Sequence, residues 1–246
     1  MRFLRADLHI HTVLSPCGDL EMSPGNIVSE ADLKGLDIIG ITDHNTTRHC
    51  DLIKRMAAEK KIFVMQGAEV TTKEEVHCLA FFENTDALKK FQVFLDMNLP
   101  DIINDPEKFG YQLQVDEDEN VVYEEKKLLI NAISKSIEET EAFIHGLNGL
   151  FIPAHINRSK NSIYSQLGFL PENFKADALE VSKASSPGKF AKEHPEINVF
   201  PLLRSSDAHY IGDIGTSFTT FYINEPSFTE IRMALKGEYG RKIIVE

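Results

Sequence analysis

Short apolar runs alternate with longer amphipathic stretches along this chain. The runs at residues 6–11, 38–42, 62–70, 76–82, 150–156, 178–181 and 199–205 have the length and continuity of buried strands. Most of the intervening segments have helical character. Ser23 and Pro24 open one helix, the serine as N-cap and the proline at the first helical position, and Ile27, Ala31 and Leu33 carry its pattern to Gly35. A second helix follows Asn45, and a third is expected from about residue 124 to 147. Repeated strand–helix alternation predicts an α/β fold with a parallel sheet and helices outside. Roughly seven strands favour a closed or nearly closed barrel over an open sheet.

One stretch breaks the rhythm. Residues 101–125 carry Pro106, Gly110 and an acidic turn at 116–120 between apolar segments at 111–115 and 121–123, which predicts an excursion ending in a small hairpin. Acidic runs are usually surface, so it is expected to be a solvated loop rather than a lid. Beyond Thr216 a strand at 218–223, a helix after Pro226 and a last strand at 242–245 are expected to close the barrel.

Length and charge narrow the picture. The 246 residues, 42% of them hydrophobic, match the roughly 250 of one (β/α) barrel, so a single domain over 1–246 is expected. A net charge of −12, from 38 acidic and 26 basic residues, disfavours extended nucleic acid as a partner. No window reaches the roughly 20 apolar residues that span a bilayer, and the first residues lack the apolar region of a signal peptide. The expectation is a cytoplasmic protein without a membrane partner. Three cysteines without paired spacing fit a reduced compartment.

Candidate chemistry sits at the ends of the apolar runs. In Asp7-Leu8-His9-Ile10-His11-Thr12 the spacing of two puts both imidazoles on one face of a strand. Asp207-Ala208-His209 repeats that spacing near the other end of the chain. Asp43-His44 closes the run at 38–42, Glu69 follows 62–68, His77 lies within 76–80, and His155 ends 151–154. In a barrel, strand ends are where side chains from distant segments converge. His49, His145 and His194 fall on predicted helices or loops and read as surface residues. Imidazoles suit zinc, manganese or iron, and Glu69 and Asp207 offer anionic oxygens able to bridge cations. So many donors exceed one tetrahedral ion and imply two or three divalent metal ions, with magnesium a further option.

These stretches, together with Ile41-Thr42-Asp43-His44-Asn45, Gly67-Ala68-Glu69, Ala154-His155 and Ser206-Asp207-Ala208-His209, resemble the polymerase and histidinol phosphatase (PHP) superfamily of metal-dependent phosphoesterases. They run in order from near the start to residue 209. The resemblance implies a distorted, TIM-like (β/α)7 barrel with a trinuclear metal cluster at the C-terminal mouth of the strands. It implies His9, His11, His44, Glu69, His77, His155, Asp207 and His209 as metal ligands, Glu69 bridging, with Asp43 and Asp7 orienting imidazoles. After the His-x-His pair the family places a further histidine or aspartate, and this chain offers Cys17 or Asp19. A thiolate would favour zinc, whereas Asp19 would suit manganese, iron or magnesium. Either could instead serve the turn, Asp19 as a cap and Cys17 as a small apolar group.

The chemistry implied is hydrolysis of a phosphate ester by hydroxide generated at a metal, attacking in line. Asp43 and Arg158 are the candidate catalytic residues beside the ligands. Arg158, three residues after His155, can offer a phosphate a two-pronged hydrogen bond, and Lys183 and Arg204 are further cations near predicted strand ends. Family substrates range from small phosphomonoesters through nucleotides to oligonucleotide ends, and the acidic balance favours a small phosphorylated substrate. Three alternatives stand beside it: an exonuclease acting on short oligonucleotide ends, an amidohydrolase-type enzyme acting at a carbon centre, and a metal-binding domain without turnover. Against the amidohydrolase, no lysine is placed to become a bridging carbamate.

Overall fold

The computed structural model describes residues 1–172 and 174–245. In chain order the elements are β1 (Arg2–Ile10), α1 (Pro24–Leu33), β2 (Ile38–Ile41), α2 (Cys50–Glu59), β3 (Phe63–Thr71), β4 (His77–Phe82), α3 (Thr85–Asn98), α4 (Pro106–Phe109), β5 (Leu113–Val115) and β6 (Val121–Glu124). They continue as α5 (Ile137–Gly146), β7 (Leu150–Pro153), α6 (Ile163–Leu167), β8 (Leu179–Glu180), α7 (Pro187–Glu193), β9 (Leu202–Leu203), β10 (Thr219–Ile223), α8 (Phe228–Lys236) and β11 (Lys242–Ile244). Local chemistry explains several starts. Ser23 accepts from Asn26 N ahead of Pro24, and Ser136 and Glu139 form a capping box on α5.

The main sheet runs β11-β10-β1-β2-β3-β4-β7, and β8 pairs with β9. Main-chain bonds join the two into a ring. Asp177 N donates to Phe151 O and Ile156 N to Glu180 O, linking β7 to β8. Ala208 N donates to His9 O and His11 N to Ala208 O, linking the segment after β9 to β1. Strands β1, β2, β3, β4, β7, β8 and β9 thus enclose a distorted barrel in a single α/β domain. Leu4, Ala6, Leu8, Met65, Leu79, Phe81, Ile152 and Leu203 form a buried cluster together with Phe228 and Ile231 of α8.

Four sequence expectations need correction. The sheet is not wholly parallel: β1–β2 and β2–β3 are parallel, but β4 runs antiparallel to both β3 and β7. Few residues separate the runs at 62–70 and 76–82, and a parallel crossover needs about a dozen. The tail does not close the barrel. β10 lies antiparallel along Arg2–Ala6 of β1 with β11 outside it, and residue 208 makes the closure. The helix expected from 124 begins only at Ile137, because the preceding backbone is committed to the excursion: Glu125 N donates to Gln112 O, Leu128 N to Ile102 O and Leu129 N to Gln112 Oε1.

The excursion itself is a docked hairpin rather than solvated decoration. Leu113 N donates to Val13 O, Glu119 meets the Ser23 hydroxyl, and Gln112 and Val115 are buried. Gly110 has a positive φ of 96° and lies so close to Pro16 that a Cβ would sit 2.0 Å from its carbonyl oxygen.

One irregularity positions the site. The β1–β2 register shifts between Asp7 and Ile10, one extra residue on β1. Leu4, Ala6 and Leu8 belong to one apolar cluster, whereas Ile10 packs with Ile27, Ile39 and Ile41 in the other. The bulge therefore turns His9 and His11 toward the side that Leu8 occupies. Gly40 makes room for it: a Cβ there would lie 2.4 Å from Leu8 O.

Candidate metal centre

Barrel closure brings the sequence candidates together. His9 and His11 come from the end of β1 and its extension, His44 follows β2, Glu69 lies on β3, His155 follows β7, and Asp207 and His209 follow β9. His77 opens its strand instead of ending it, because β4 is antiparallel and its start lies at the same mouth.

Glu69 is the hub. Its Oε1 lies 3.3 Å from His9 Nε2, 2.9 Å from His77 Nδ1 and 3.1 Å from His155 Nε2, and its Oε2 lies 3.3 Å from His11 Nε2 and 3.1 Å from His44 Nδ1. Asp207 Oδ1 stands 3.4 Å from His9 Nε2 and 3.6 Å from both His11 Nε2 and His209 Nδ1. Burial would raise the Glu69 carboxyl, but the imidazoles of His77, His9 and His44 hold it well below the usual range. Burial likewise opposes His9, yet the carboxylates of Glu180, Glu69 and Asp207 raise it well above an ordinary imidazole. His44 is pushed well down and His209 to about 4, in both cases first by burial and then by neighbouring imidazoles.

The proton inventory tests whether this cradle fits cations. His9 Nδ1 donates to Glu180 Oε2 at 3.0 Å. Ser15 gives its single hydroxyl proton to Asp43 Oδ1, so it accepts from His11 Nδ1 at 3.0 Å. Both Nε2 atoms are therefore bare in the neutral rings, and they face each other at 3.1 Å beside two carboxylates. His155 Nδ1 is buried and has no hydrogen-bond partner among the described residues. The space between these Nε2 atoms and the two carboxylates calls for positive charge, which the raised His9 supplies as a second proton in the metal-free protein and a metal cation would supply in its place. Among the described residues, three donor groups are close enough to share ions: His9, His11 and Glu69; His44, Glu69 and His77; and His11, Cys17, His44 and His209.

The last group decides where the two loop candidates fall. Cys17 lies among the imidazoles, whereas Asp19 Oδ1 accepts from Glu21 N and serves the turn. Two carboxylates also differ from expectation, since neither touches an imidazole. Asp7 accepts from Ser206 N and Gly215 N, and burial raises it to about 6. Asp43 accepts from Thr12 N, Thr12 Oγ1 and Ser15 Oγ and does not line the cavity. It reaches His11 only through the Ser15 hydroxyl.

Glu180 was missed. It is buried, fixes His9 Nδ1 and accepts from His155 N at 3.0 Å, and an acid inside the apolar run at 178–181 was the available signal. His49 is fully buried, not superficial, and His145 pairs with Glu141 and Asp177. His194 is partly exposed beside Glu196.

The cluster opens to a cavity of about 310 Å³ lined by Cys17, Ile130, Arg158 and Asn161 as well as the donors. Arg158 stands at its rim, half exposed and paired with Asp207. Lys183 pairs with Asp213 outside it, and Arg204 lies in a separate groove with Arg5 and Phe218. His155 and Asp207 have positive φ values of 31° and 52°, left-handed backbone that side chains rarely adopt and that clusters at functional sites.

An α/β barrel with a buried multi-imidazole cradle at its mouth defines a class of metal-binding domain. Residues 7–167 match the PHP domain family, and the chain belongs to it. It is 26% identical to the uncharacterized protein YqxK of Bacillus subtilis over 279 residues, covering 99% of this chain and 65% of that protein. Its fold is similar to that of the lesion-specific endonuclease PfuEndoQ from Pyrococcus furiosus, with a TM-score of 0.72 and 24% identity over 98% of this chain and 58% of that one. It is also similar to a protein described as a metal-dependent phosphoesterase from Bifidobacterium adolescentis, with a TM-score of 0.59 and 19% identity over 92% and 94% of the two chains. The chain thus spans less than two thirds of the length of the first two proteins. Among the described residues no helix is long and apolar enough to cross a membrane.

Proposed function

We propose that this chain is a metal-dependent hydrolase of phosphate esters. The observation that carries the reading is the convergence of the imidazole Nε2 atoms from β1 and its extension on Glu69 and Asp207, two carboxylates that line an open cavity. His9, His11, His44, Glu69, His77, His155, Asp207, His209 and Cys17 would hold two or three divalent ions. Such ions supply Lewis acidity, neutralise phosphoryl charge and make water nucleophilic near neutral pH. A thiolate in the donor set favours zinc over magnesium.

The protein's own residues would do the rest. Glu180 keeps the His9 proton on Nδ1 and Ser15 with Asp43 keeps the His11 proton on Nδ1, so both Nε2 lone pairs stay directed at the centre. Arg158 would exchange its pairing with Asp207 for two hydrogen bonds to a phosphoryl group entering the cavity. Ile130 adds an apolar side chain and Asn161 a polar one to the wall of the cavity.

The cavity of about 310 Å³ and the charge of −12 favour a small phosphorylated substrate. A second reading, a phosphodiester in DNA, is favoured by the likeness of nearly the whole chain to a lesion-specific endonuclease. One experiment separates the readings. Apo protein is reconstituted with zinc, manganese, iron or magnesium and assayed on phosphomonoesters, nucleotides, oligonucleotide ends, damaged duplex, amides and lactones. Turnover of phosphate esters that disappears with a chelator is expected. Turnover confined to amides or lactones, or none with any metal, overturns the proposal.

A further inference from the structure

His49 is fully buried, as are Thr12, Ser15 and His11, and it stands between the docked hairpin and the metal centre. Val115 N, on β5, donates to His49 Nε2 at 3.0 Å. A backbone N–H can only donate, so Nε2 is an acceptor and the ring proton sits on Nδ1. His49 Nδ1 then donates to Thr12 Oγ1 at 2.7 Å, Thr12 Oγ1 donates to Asp43 Oδ2 at 2.8 Å, and Asp43 Oδ1 takes the Ser15 proton at 2.7 Å. Ser15 in turn accepts from His11 Nδ1. The backbone donor at one end and the carboxylate in the middle fix the direction of every bond. Burial lowers the His49 pKa, which keeps the ring neutral and able to accept.

We infer that His49 is a positioning residue through which the β5–β6 hairpin holds Thr12, Asp43 and Ser15 in place behind the ring of His11, so that docking of the excursion is coupled to metal affinity. The inference rests on the reading of His11 as a metal-holding residue, and the hairpin becomes part of the metal centre without touching it. Asp43 accepts from both sides, so His49 contributes the placement of the carboxylate that takes the Ser15 proton and leaves the direction of that bond unchanged.

The test uses the full chain and three variants, His49→Phe, Thr12→Val and His49→Gln. His49→Phe removes both bonds, and His49→Gln can restore them, its amide oxygen accepting from Val115 and its NH2 donating to Thr12. Titration with zinc or cobalt is expected to give a Kd roughly tenfold weaker for His49→Phe, near the lower limit for loss of a residue behind a ligand, with a shifted cobalt absorption spectrum. His49→Gln is expected to recover most of the affinity, and Thr12→Val to add little to His49→Phe. In nitrogen-15 NMR the His11 proton is expected on Nδ1 in the wild type, and the His11 ring shifts are expected to move in His49→Phe and to return in His49→Gln. An unchanged Kd and unchanged His11 ring shifts in a folded His49→Phe overturn the inference while leaving the metal reading intact. A wild type that binds neither ion overturns the metal reading, and the His11 ring shifts still decide the positioning claim. If His49→Phe does not fold, a wild-type spectrum with His49 protonated at Nε2 overturns the inference, and an unprotonated Nε2 coupled to the Val115 amide supports it.

Discussion

The two pairs His9-x-His11 and Asp207-x-His209 share one spacing and face one another across the centre, yet they are built in different ways. The first lies on and just past β1, re-aimed by a bulge that Gly40 accommodates. The second is not on a strand. Asp207 has left-handed backbone at φ 52°, and its segment is held by bonds from elsewhere: Asp7 accepts from Ser206 N and Gly215 N, while Ala208 is pinned between His9 and His11. Equal spacing in a sequence therefore does not mean equal geometry. A strand aims its side chains by itself, whereas a loop aims them only through the segments that grip it.

The largest expected effect joins both pairs. Glu69→Gln halves the charge available to the two carboxylate positions and removes an anionic acceptor from five imidazoles. Divalent binding and phosphoester turnover should each fall about 10³-fold, the scale of several kcal/mol of lost charge stabilisation. Calorimetric metal titration and steady-state rates check it, and near-normal binding would remove Glu69 from the centre.

Gly40→Ala attacks the first pair alone. The added Cβ meets backbone at Leu8, which cannot swing aside as a side chain can, so a loss of about 3 kcal/mol is expected from urea unfolding. Asp207 should keep its place, as a crystal structure of the variant would reveal. A stability unchanged within error would mean that the bulge is not what aims His9.

Asp7→Asn attacks the second, and its signature is in pH. The folded Asp7 carboxyl is raised to about 6 from 3.8, so its contribution is full below pH 3.8 and is lost as pH rises through 6. His209 is lowered to about 4 from 6.5, so its contribution is full above pH 6.5 and is lost as pH falls through 4. Between about pH 4 and 6 the two slopes oppose each other in the metal-free protein. Removing Asp7 should therefore make stability climb more steeply with pH in that window, by about 1.4 kcal/mol per unit relative to wild type. Chemical denaturation of both proteins at pH 4.5, 5 and 5.5 measures the difference, and parallel profiles would contradict it.

The smallest expected effect lies behind the first pair. Glu180→Gln can still accept from His155 N but holds His9 Nδ1 with a neutral oxygen, so metal affinity should weaken roughly tenfold with little change in fold. An affinity equal to wild type would mean that His9 is oriented without Glu180.

How much was legible depends on whether a feature is local. The runs at 38–42 and 150–156 become β2 and β7, and the candidates at their ends do meet, because burial pattern and strand length are properties of a few adjacent residues. Which of Cys17 and Asp19 would lie among the imidazoles was not legible, since both sit in one short loop and only its docking against His209 brings the cysteine there. Glu180 carried a local sign of its role that went unused. His49 carried none: its partners are a threonine far upstream and a backbone amide far downstream, and nothing nearby marks it as buried.

The amino-acid order alone determined the α/β character, the number of barrel strands and most of the imidazole and carboxylate side chains that meet at the barrel mouth, because side-chain polarity and periodicity act over one or two turns of chain. Tertiary structure decided the antiparallel β4, the closure through residue 208, the bulge at His9 and the proton placement on each imidazole. Those depend on which remote backbone groups come within hydrogen-bonding distance, and that is settled only when the ring closes and buried donors must find acceptors.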